Sequence, residues 1–289
     1  MPTISQAIAE GVHKLQAGGI DHERRTAGLL LCHAIGIDRT HLLTKSEEEI
    51  DDVKYNIYLE LLERRTAGEP VQYLTGHQEF YGLDFRVTRD VLIPRPETEF
   101  LIEQVLKIVE KQELDKPLIV DVGTGSGCIA VTLAVNIPNA RLITTDVSPG
   151  ALNVARNNAA KHRVIDRIEF LKGDLLGPLA NRGLEASVDI IASNPPYVNE
   201  ALKGSIQREV REWEPDTALF GGVDGIEFYR RLLSDCQRFL KIGGYLVIEI
   251  GFGQLEAIER IVETSSSLGI VEVTNDLQDI PRTLTMLRS

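Results

Sequence analysis

The chain has 289 residues, enough for one large domain or two modest ones with a sizeable core. Hydrophobic residues at 43% and charged residues at 26% are ordinary for a soluble globular protein, and no apolar run approaches the ~20 residues of a membrane span. The net charge of −12 divides into −6 for residues 1–85 and −6 for the rest, so neither part has the basic excess of a protein that binds by neutralising phosphates.

Met1-Pro-Thr-Ile-Ser5 lacks the basic and apolar regions of a secretory signal. Cys32, Cys128 and Cys236 form neither a disulfide framework nor a C-x-x-C pair, and the histidines of the first helices lack metal-ligand spacing. A cytoplasmic location is expected, with no membrane association and no metal site.

The first stretch, Thr3 to Ala17, reads as an amphipathic helix opened by a Thr3/Gln6 capping box and closed by Gly18-Gly19. A second helix follows Asp21, with Ala27, Leu30, Leu31 and Ala34 inward and Gly36 as its stop. A short piece around Arg39–Leu43 leads to a longer helix from about Glu47 to Ala67, whose stripe is Ile50, Val53, Ile57, Leu61 and Leu62. Residues 1–70 are therefore expected to be a small helical bundle without chemistry of its own, serving either as scaffolding or as a docking surface for a macromolecule.

Residues 71–92 change character. Leu83, Phe85 and Val87 alternate with Asp84 and Arg86, the two-residue period of a strand, and Phe80-Tyr81-Gly82 suits a hairpin corner. The segment reads as a β-hairpin linker to a third region, residues 93–289. That region starts with the stiff loop Ile93-Pro-Arg-Pro-Glu-Thr-Glu99, in which prolines on both sides fix Arg95, and a helix over Thr98–Lys111.

From Lys116 strands and helices alternate. Strands are expected at Leu118–Val122, Arg141–Thr145, Arg167–Leu171, Val188–Ser193 and Tyr245–Ile250, with two more near Ile270–Val273 and Thr283–Leu287. Helices are expected at Cys128–Val135, Pro149–Lys161, Ile226–Leu240 and Gln254–Thr264. Such alternation predicts an α/β fold, a doubly wound and mostly parallel sheet of seven strands, whose ligands bind at the carboxyl ends of the strands.

Every residue with chemistry falls at those ends. After the first strand comes Gly123-Thr-Gly-Ser-Gly127, where glycines let a ligand approach the backbone and leave N–H groups free at a helix start. Asp146 ends the next strand, 23 residues past Gly123, where an acid accepts both ribose hydroxyls. Asp174 ends the third and is placed to accept from an adenine amino group. The spacing is G-x-G-x-G rather than the dinucleotide G-x-G-x-x-G, and nothing provides for a pyrophosphate. The set fits S-adenosylmethionine better than NAD.

The fourth strand stops at Asn194-Pro-Pro-Tyr197. Two prolines cannot continue a ladder, so the strand end is a stiff corner with an amide, free carbonyls and a ring. The Asn194 oxygen and a proline carbonyl can each accept one N–H of a planar NH2 group, while Tyr197 packs on its face. With the methyl donor over the glycine loop, Asn194 stands where the sulfonium methyl points. Two acceptors that hold both N–H bonds favour a partly pyramidal nitrogen and aim its lone pair at the methyl, which is catalysis by positioning and electrostatics. Cys128, at a helix start, reads as a small packed residue rather than a nucleophile.

Asp121–Gly127 together with Asn194–Tyr197 resembles the amino-methyltransferases of the class I S-adenosylmethionine fold. Pro70-Val-Gln-Tyr-Leu-Thr-Gly76, Ile93–Glu99, Glu214-Pro-Asp-Thr-Ala-Leu219 and Glu249-Ile-Gly251 narrow this. With the helical start they resemble, over nearly the whole chain, the bacterial peptide chain release factor N5-glutamine methyltransferases. The resemblance implies that the methyl acceptor is the side-chain amide of the glutamine in the Gly-Gly-Gln motif of class I release factors, and that S-adenosylhomocysteine is the product. It implies that residues 1–70 help dock the release factor, and that the last strand is antiparallel. Gly123, Thr124, Gly125, Ser126, Gly127, Asp146 and Asn194 carry over as donor contacts, beside Asp174 as read from its place at the strand end. Leu175 stands where some relatives have a bulky aromatic beside the adenine. Asn194, Pro195, Pro196 and Tyr197 carry over as the glutamine site, with Asn194, Pro195 and Tyr197 catalytic.

An N6-adenine methyltransferase acting on DNA or RNA would use the same corner on a flipped base. The acidic balance and the lack of a basic, base-reading region speak against it, and no nucleic-acid partner is expected. A sensor that only binds an adenosine ligand would leave the corner a structural turn.

Overall fold

The computed structural model describes residues 1–264 and 267–289, and its chain divides into two compact units. Unit one is Met1–His77 with Gln207–Trp213; unit two is Gln78–Ile206 with Glu214–Ser289.

The first unit is helical: α1 (Ile4–Ala17), α2 (Glu23–Ile35), α3 (Arg39–Thr44), α4 (Asp52–Thr66) and α5 (Val71–Thr75). The expected capping box is present, with Gln6 N–H donating to Thr3 Oγ1 at 3.3 Å and Thr3 N–H donating back to Gln6 Oε1 at 2.9 Å. Gly36 ends α2 in the left-handed conformation, φ +74°. The fourth helix departs from expectation. It starts at Asp52, not near Glu47, because the Asp51 carboxylate accepts from Lys54 N–H at 3.0 Å and caps it there. The face it buries is Tyr58, Leu61, Leu62 and Arg65, whereas Val53 is 70% exposed. A later segment, placed in chain order below as α9, joins this unit through Arg65, whose guanidinium lies 2.5 Å from Glu209.

Residues 71–92 hold α5 and then a two-stranded hairpin, β1 (His77–Phe80) and β2 (Leu83–Arg86), turning at Tyr81-Gly82 where both φ angles are positive. Then α6 (Thr98–Lys111) leads to the main sheet. In chain order its parts are β3 (Leu118–Val122), α7 (Cys128–Asn136), β4 (Arg141–Asp146), α8 (Pro149–Lys161), β5 (Ile168–Lys172) and β6 (Val188–Ser193). Short helices α9 (Arg208–Trp213) and α10 (Asp216–Leu219) follow, then α11 (Glu227–Phe239), β7 (Leu240–Glu249), α12 (Leu255–Glu263), β8 (Leu268–Asn275) and β9 (Pro281–Arg288).

The seven strands lie in the order β5-β4-β3-β6-β7-β9-β8, and β9 runs opposite to the other six. One difference from expectation is the start of β7. Gly243-Gly244 does not precede the strand but lies inside it: Leu240 already pairs with Val188, and the register shifts before Tyr245 pairs with Ile190.

Apolar side chains from both faces of the sheet form two clusters. One holds Val120, Ile191, Leu246, Ile248 and Leu284 against Tyr229, Leu233 and Ile258. The other holds Ile119, Leu142, Ile190 and Val247 against Leu101, Ile102, Val131 and Leu133. Successive residues of one strand thus face opposite clusters, which is why the middles of these strands are apolar at consecutive positions rather than alternating. Among the described residues, no helix is long and apolar enough to cross a membrane.

Candidate active site

The carboxyl ends of β3, β4, β5 and β6 meet in a cleft in the second unit, lined among others by Gly123, Asp146, Asp174 and Asn194. Its floor is the turn from β3 into α7. Gly123 N–H and Thr124 N–H both donate to Thr145 O, at 2.9 and 3.1 Å, which ties the loop to β4. Gly123 and Gly125 have φ of +76° and +54°, and nothing lies within 4 Å of where their Cβ atoms would stand. The glycines therefore leave open space over the backbone, a cradle that fits a nucleoside-sized ligand. Gly127 serves packing instead: with φ +81° it brings α7 so close to α8 that a Cβ would meet Ala155 Cβ at 3.0 Å. Behind the loop the buried Asn158 amide donates to Ser126 O at 2.8 Å and Arg86 O at 2.9 Å, joining loop and hairpin.

Asp146 does more than wait for a ligand. Its Oδ2 accepts from Gly125 N–H at 2.9 Å and its Oδ1 from Ser148 N–H at 2.8 Å. Desolvation raises its pKa, while these backbone donors pull the other way. Each oxygen keeps a further lone pair. Asp174 is exposed and paired with Arg231 through Oδ2. Leu175 is buried at φ +49° and lines the cleft beside it. Burial holds the Asp121 carboxyl at about 7, although the Thr124 hydroxyl donates to it at 2.6 Å. Cys128 borders the cleft, and desolvation pushes its thiol up to about 12, which rules out a ready thiolate nucleophile.

The corner after β6 is fixed from several sides. Ser193 Oγ donates to Val122 O at 2.7 Å. Gln254 Nε2 donates to Tyr197 O at 2.9 Å and to Gly225 O at 3.1 Å, while Gln254 Oε1 accepts from Gly251 N–H at 2.9 Å. Val198 N–H donates to Leu219 O at 2.8 Å, bringing the Glu214–Leu219 segment alongside. Gly221 has to be glycine, since a Cβ there would stand 2.5 Å from Pro196 O.

Asn194 Nδ2 donates to Thr98 Oγ1 at 2.9 Å, and Thr98 Oγ1 donates to Glu249 Oε2 at 2.6 Å. Tyr197 OH donates to Glu249 Oε1 at 3.3 Å. Among the described residues, Asn194 Oδ1 and Pro195 O accept no hydrogen bond. Asn194 Oδ1 thus keeps acceptor capacity in the cleft, and the carbonyl of the next residue is likewise uncommitted.

Of the residues expected from the sequence, Gly123, Thr124, Gly125, Ser126, Asp146, Asp174, Leu175, Asn194 and Pro196 line the cleft. Gly127, Pro195 and Tyr197 lie outside the lining; Gly127 and Pro195 are buried, and the Tyr197 ring packs against one of the core clusters. The sequence reading assigned no role to Thr98, Glu249, Gln254 or Asn158. Glu249 had a signal: it is the one acid in the apolar run Tyr245–Ile250, which a strand covered on both faces does not carry without a partner. Arg95, fixed between prolines, spans 2.6 Å to the buried Glu214 and lines the cleft.

Residues 6–76 match the family model of the PrmC N-terminal domain, and residues 97–210 that of the methyltransferase small domain. The release factor glutamine methyltransferase of Koribacter versatilis is 41% identical over 97% of this chain and 96% of its own length. Those of Moorella thermoacetica and Bacillus cereus are 44% identical over 90% and 89%, and 37% identical over 91% and 91%. Among solved structures, the hMettl16 catalytic domain has a TM-score of 0.55 at 20% identity, covering 78% of this chain and 81% of that one. A methyltransferase from Pyrococcus furiosus has a TM-score of 0.51 at 17% identity, covering 72% and 90%. At such identity the structural likeness speaks for the fold, whereas the curated relatives, matched nearly end to end, speak for more. The chain belongs to the release factor glutamine methyltransferase family.

Proposed function

We propose that this protein transfers the methyl group of S-adenosylmethionine to the side-chain amide nitrogen, N5, of the glutamine in the Gly-Gly-Gln motif of class I release factors, leaving S-adenosylhomocysteine. The observation that carries the reading is the uncommitted acceptor Asn194 Oδ1, which lines the same cleft as the open glycine cradle, at a strand end where Pro195 O accepts no hydrogen bond either. Family membership supplies the identity of the acceptor. The relatives' names and the excess of acid over base favour a glutamine over an adenine base.

Bound donor supplies an electrophilic methyl on a sulfonium. In this reading the open space over Gly123 and Gly125 seats it, the loop's own N–H groups being spent on Thr145 O and Asp146. Asp146 accepts from the ribose hydroxyls with its remaining lone pairs, and Asp174 accepts from the adenine amino group with the oxygen that Arg231 leaves. Leu175 forms the adenine wall. An amide nitrogen is a poor nucleophile because its lone pair is delocalised. Asn194 Oδ1 and Pro195 O take its two N–H bonds, favour pyramidal nitrogen and point the lone pair along the S–CH3 axis. Pro196, which lines the cleft, walls the planar group, while Tyr197 supports the corner from the core side through Glu249. As the N–C bond forms and the C–S bond breaks, the nitrogen becomes cationic and its proton passes readily to water, so no general base is needed beforehand.

The first seventy residues dock the release factor in this reading, and the reaction belongs to the cytoplasm, where the three cysteines stay thiols. The test is mass spectrometry of a class I release factor incubated with the protein and S-adenosylmethionine. A single added methyl on the Gly-Gly-Gln glutamine is expected. An unmodified release factor, or methylation of an adenine-containing polynucleotide instead, would overturn the reading.

A further inference from the structure

Glu249 is 1% exposed at the end of β7, and both of its oxygens are engaged, by Thr98 and by Tyr197. Thr98, itself buried, joins this carboxylate to Asn194. A hydroxyl has a single proton. Once Thr98 gives it to Glu249, the oxygen can only accept from Asn194, and only the NH2 end of the amide can donate. The two ends of a primary amide have nearly the same shape, so packing alone does not select between them. Selection comes from the direction of the hydrogen bonds. An ionised Glu249 makes Thr98 a donor, which makes Asn194 Nδ2 its partner and turns Oδ1 to the cleft. A proton on Glu249 allows the reverse: the carboxyl donates to Thr98, Thr98 donates to Asn194 Oδ1, and the cleft receives an NH2 group that cannot accept from the substrate amide.

The surroundings of Glu249 come from five elements. Glu97, just before α6, opposes its ionisation, and Arg282 on β9 favours it. Cys128 at the start of α7 and Tyr229 of α11 both sense its charge, and Tyr229 OH donates to its main-chain carbonyl at 3.0 Å. Tyr197 of the corner completes the set. Burial dominates and lifts the carboxyl to about 7, against the hydrogen bond from Thr98. The relay therefore sits near its reversal point at ordinary cellular pH.

We propose that Glu249 is a positioning residue which, through the Thr98 hydroxyl, sets the Asn194 amide with its oxygen toward the methyl acceptor, so that the enzyme turns over only with Glu249 ionised. The inference rests on the reading of Asn194 as the anchor of the reacting amide. It gives a physical reason for an acid inside an apolar strand, which costs stability unless something is gained.

The test is steady-state kcat and KM on an intact release factor with saturating S-adenosylmethionine, from about pH 5.5 to pH 9. For the native enzyme kcat should fall tenfold per pH unit on the acid side, with its bend near the Glu249 ionisation. Thr98→Val keeps the shape and removes the relay. Its kcat should drop about 10- to 100-fold, the usual range for losing an orienting partner one step from the reacting group, and the acid limb should disappear. Calorimetric affinity for S-adenosylmethionine should be unchanged, which also shows that the variant is folded. Thr98→Ser should restore both rate and limb. Glu249→Gln, which cannot titrate, should lose the limb whatever its rate.

A Thr98→Val enzyme with native kcat and pH profile overturns the inference, as does a Glu249→Gln enzyme that keeps the acid limb. Should Thr98→Val fail to fold, the native and Glu249→Gln profiles still decide. The identity of the product separates this from the reading beneath it. A native enzyme that makes no methylglutamine refutes the proposed function, whereas one that makes it with a flat profile refutes only the relay.

Discussion

Replacing Asp146 by alanine removes two things at once, and their sizes follow from the structure. The first is a brace. Gly125 N–H and Ser148 N–H both donate to the carboxylate, at 2.9 and 2.8 Å. Hydrogen bonds to a charged group contribute roughly 1.5–3 kcal/mol each, and the cleft side of this loop lets water replace part of what is lost. A net loss of about 3 kcal/mol is reasonable, which for a chain of this size lowers Tm by on the order of 5–10 °C. The second is the ribose contact, two charge-assisted hydrogen bonds together worth roughly 2–3 kcal/mol, or an affinity for S-adenosylmethionine weaker by about 30- to 150-fold. Asp146→Asn keeps one acceptor oxygen, so both effects should be about halved. Thermal melting without ligand reads the brace, and calorimetry with S-adenosylmethionine reads the ribose contact. An alanine variant that melts low yet binds the donor at native affinity would move the ribose elsewhere. One that melts like the native protein would mean that the two hydrogen bonds do not hold the glycine loop.

Asn194→Ala should bind S-adenosylmethionine nearly as well as the native protein but lose kcat by on the order of 10²–10³-fold, the cost of one oriented polar group in a transition state; near-native turnover would remove Asn194 from the mechanism. Asp121 has its pKa lifted from 3.8 to about 7 by burial, so the folded chain holds that proton more tightly than the unfolded chain does. The stability it contributes is complete below its unfolded pKa and is lost as the pH rises through about 7. Urea unfolding of Asp121→Asn should therefore show a decline smaller by on the order of 1–3 kcal/mol between about pH 4 and pH 8; equal declines would contradict this. A chain beginning at Gln78 should keep its donor affinity, because the donor residues lie beyond it, and should modify intact release factor with a much raised KM while treating a short Gly-Gly-Gln peptide as before. Its Glu209 and Arg208 lose Arg65 and the Ala67 carbonyl, so faster proteolysis within 207–213 is expected; native KM for the intact factor would end the docking role.

The amino-acid sequence by itself settled what is local. Caps, glycine stops and largely apolar runs carry their own meaning: Thr3 with Gln6 opens α1, Gly36 closes α2, and the run 188–192 is apolar but for Asp189 because both faces of β6 are covered. The convergence of the glycine loop, Asp146, Asp174 and Asn194 was legible too, since a strand–helix alternation leaves all the carboxyl ends on one side. Tertiary structure decided what depends on a distant partner. Periodicity marked an apolar stripe on α4 but could not tell that Val53 would face water and Tyr58 the core, because two overlapping stripes differ only in what they meet. The start of β7 was set by Val188 across the sheet, and residues 207–213 went to the helical unit because Arg65 holds Glu209. The relay is the clearest case. Thr98 lies 96 positions from Asn194 and 151 from Glu249, and the direction of a hydrogen bond is a property of the pair. No side chain states alone whether it will give or take a proton, so the working end of the Asn194 amide could be read only after the fold had brought its partners together.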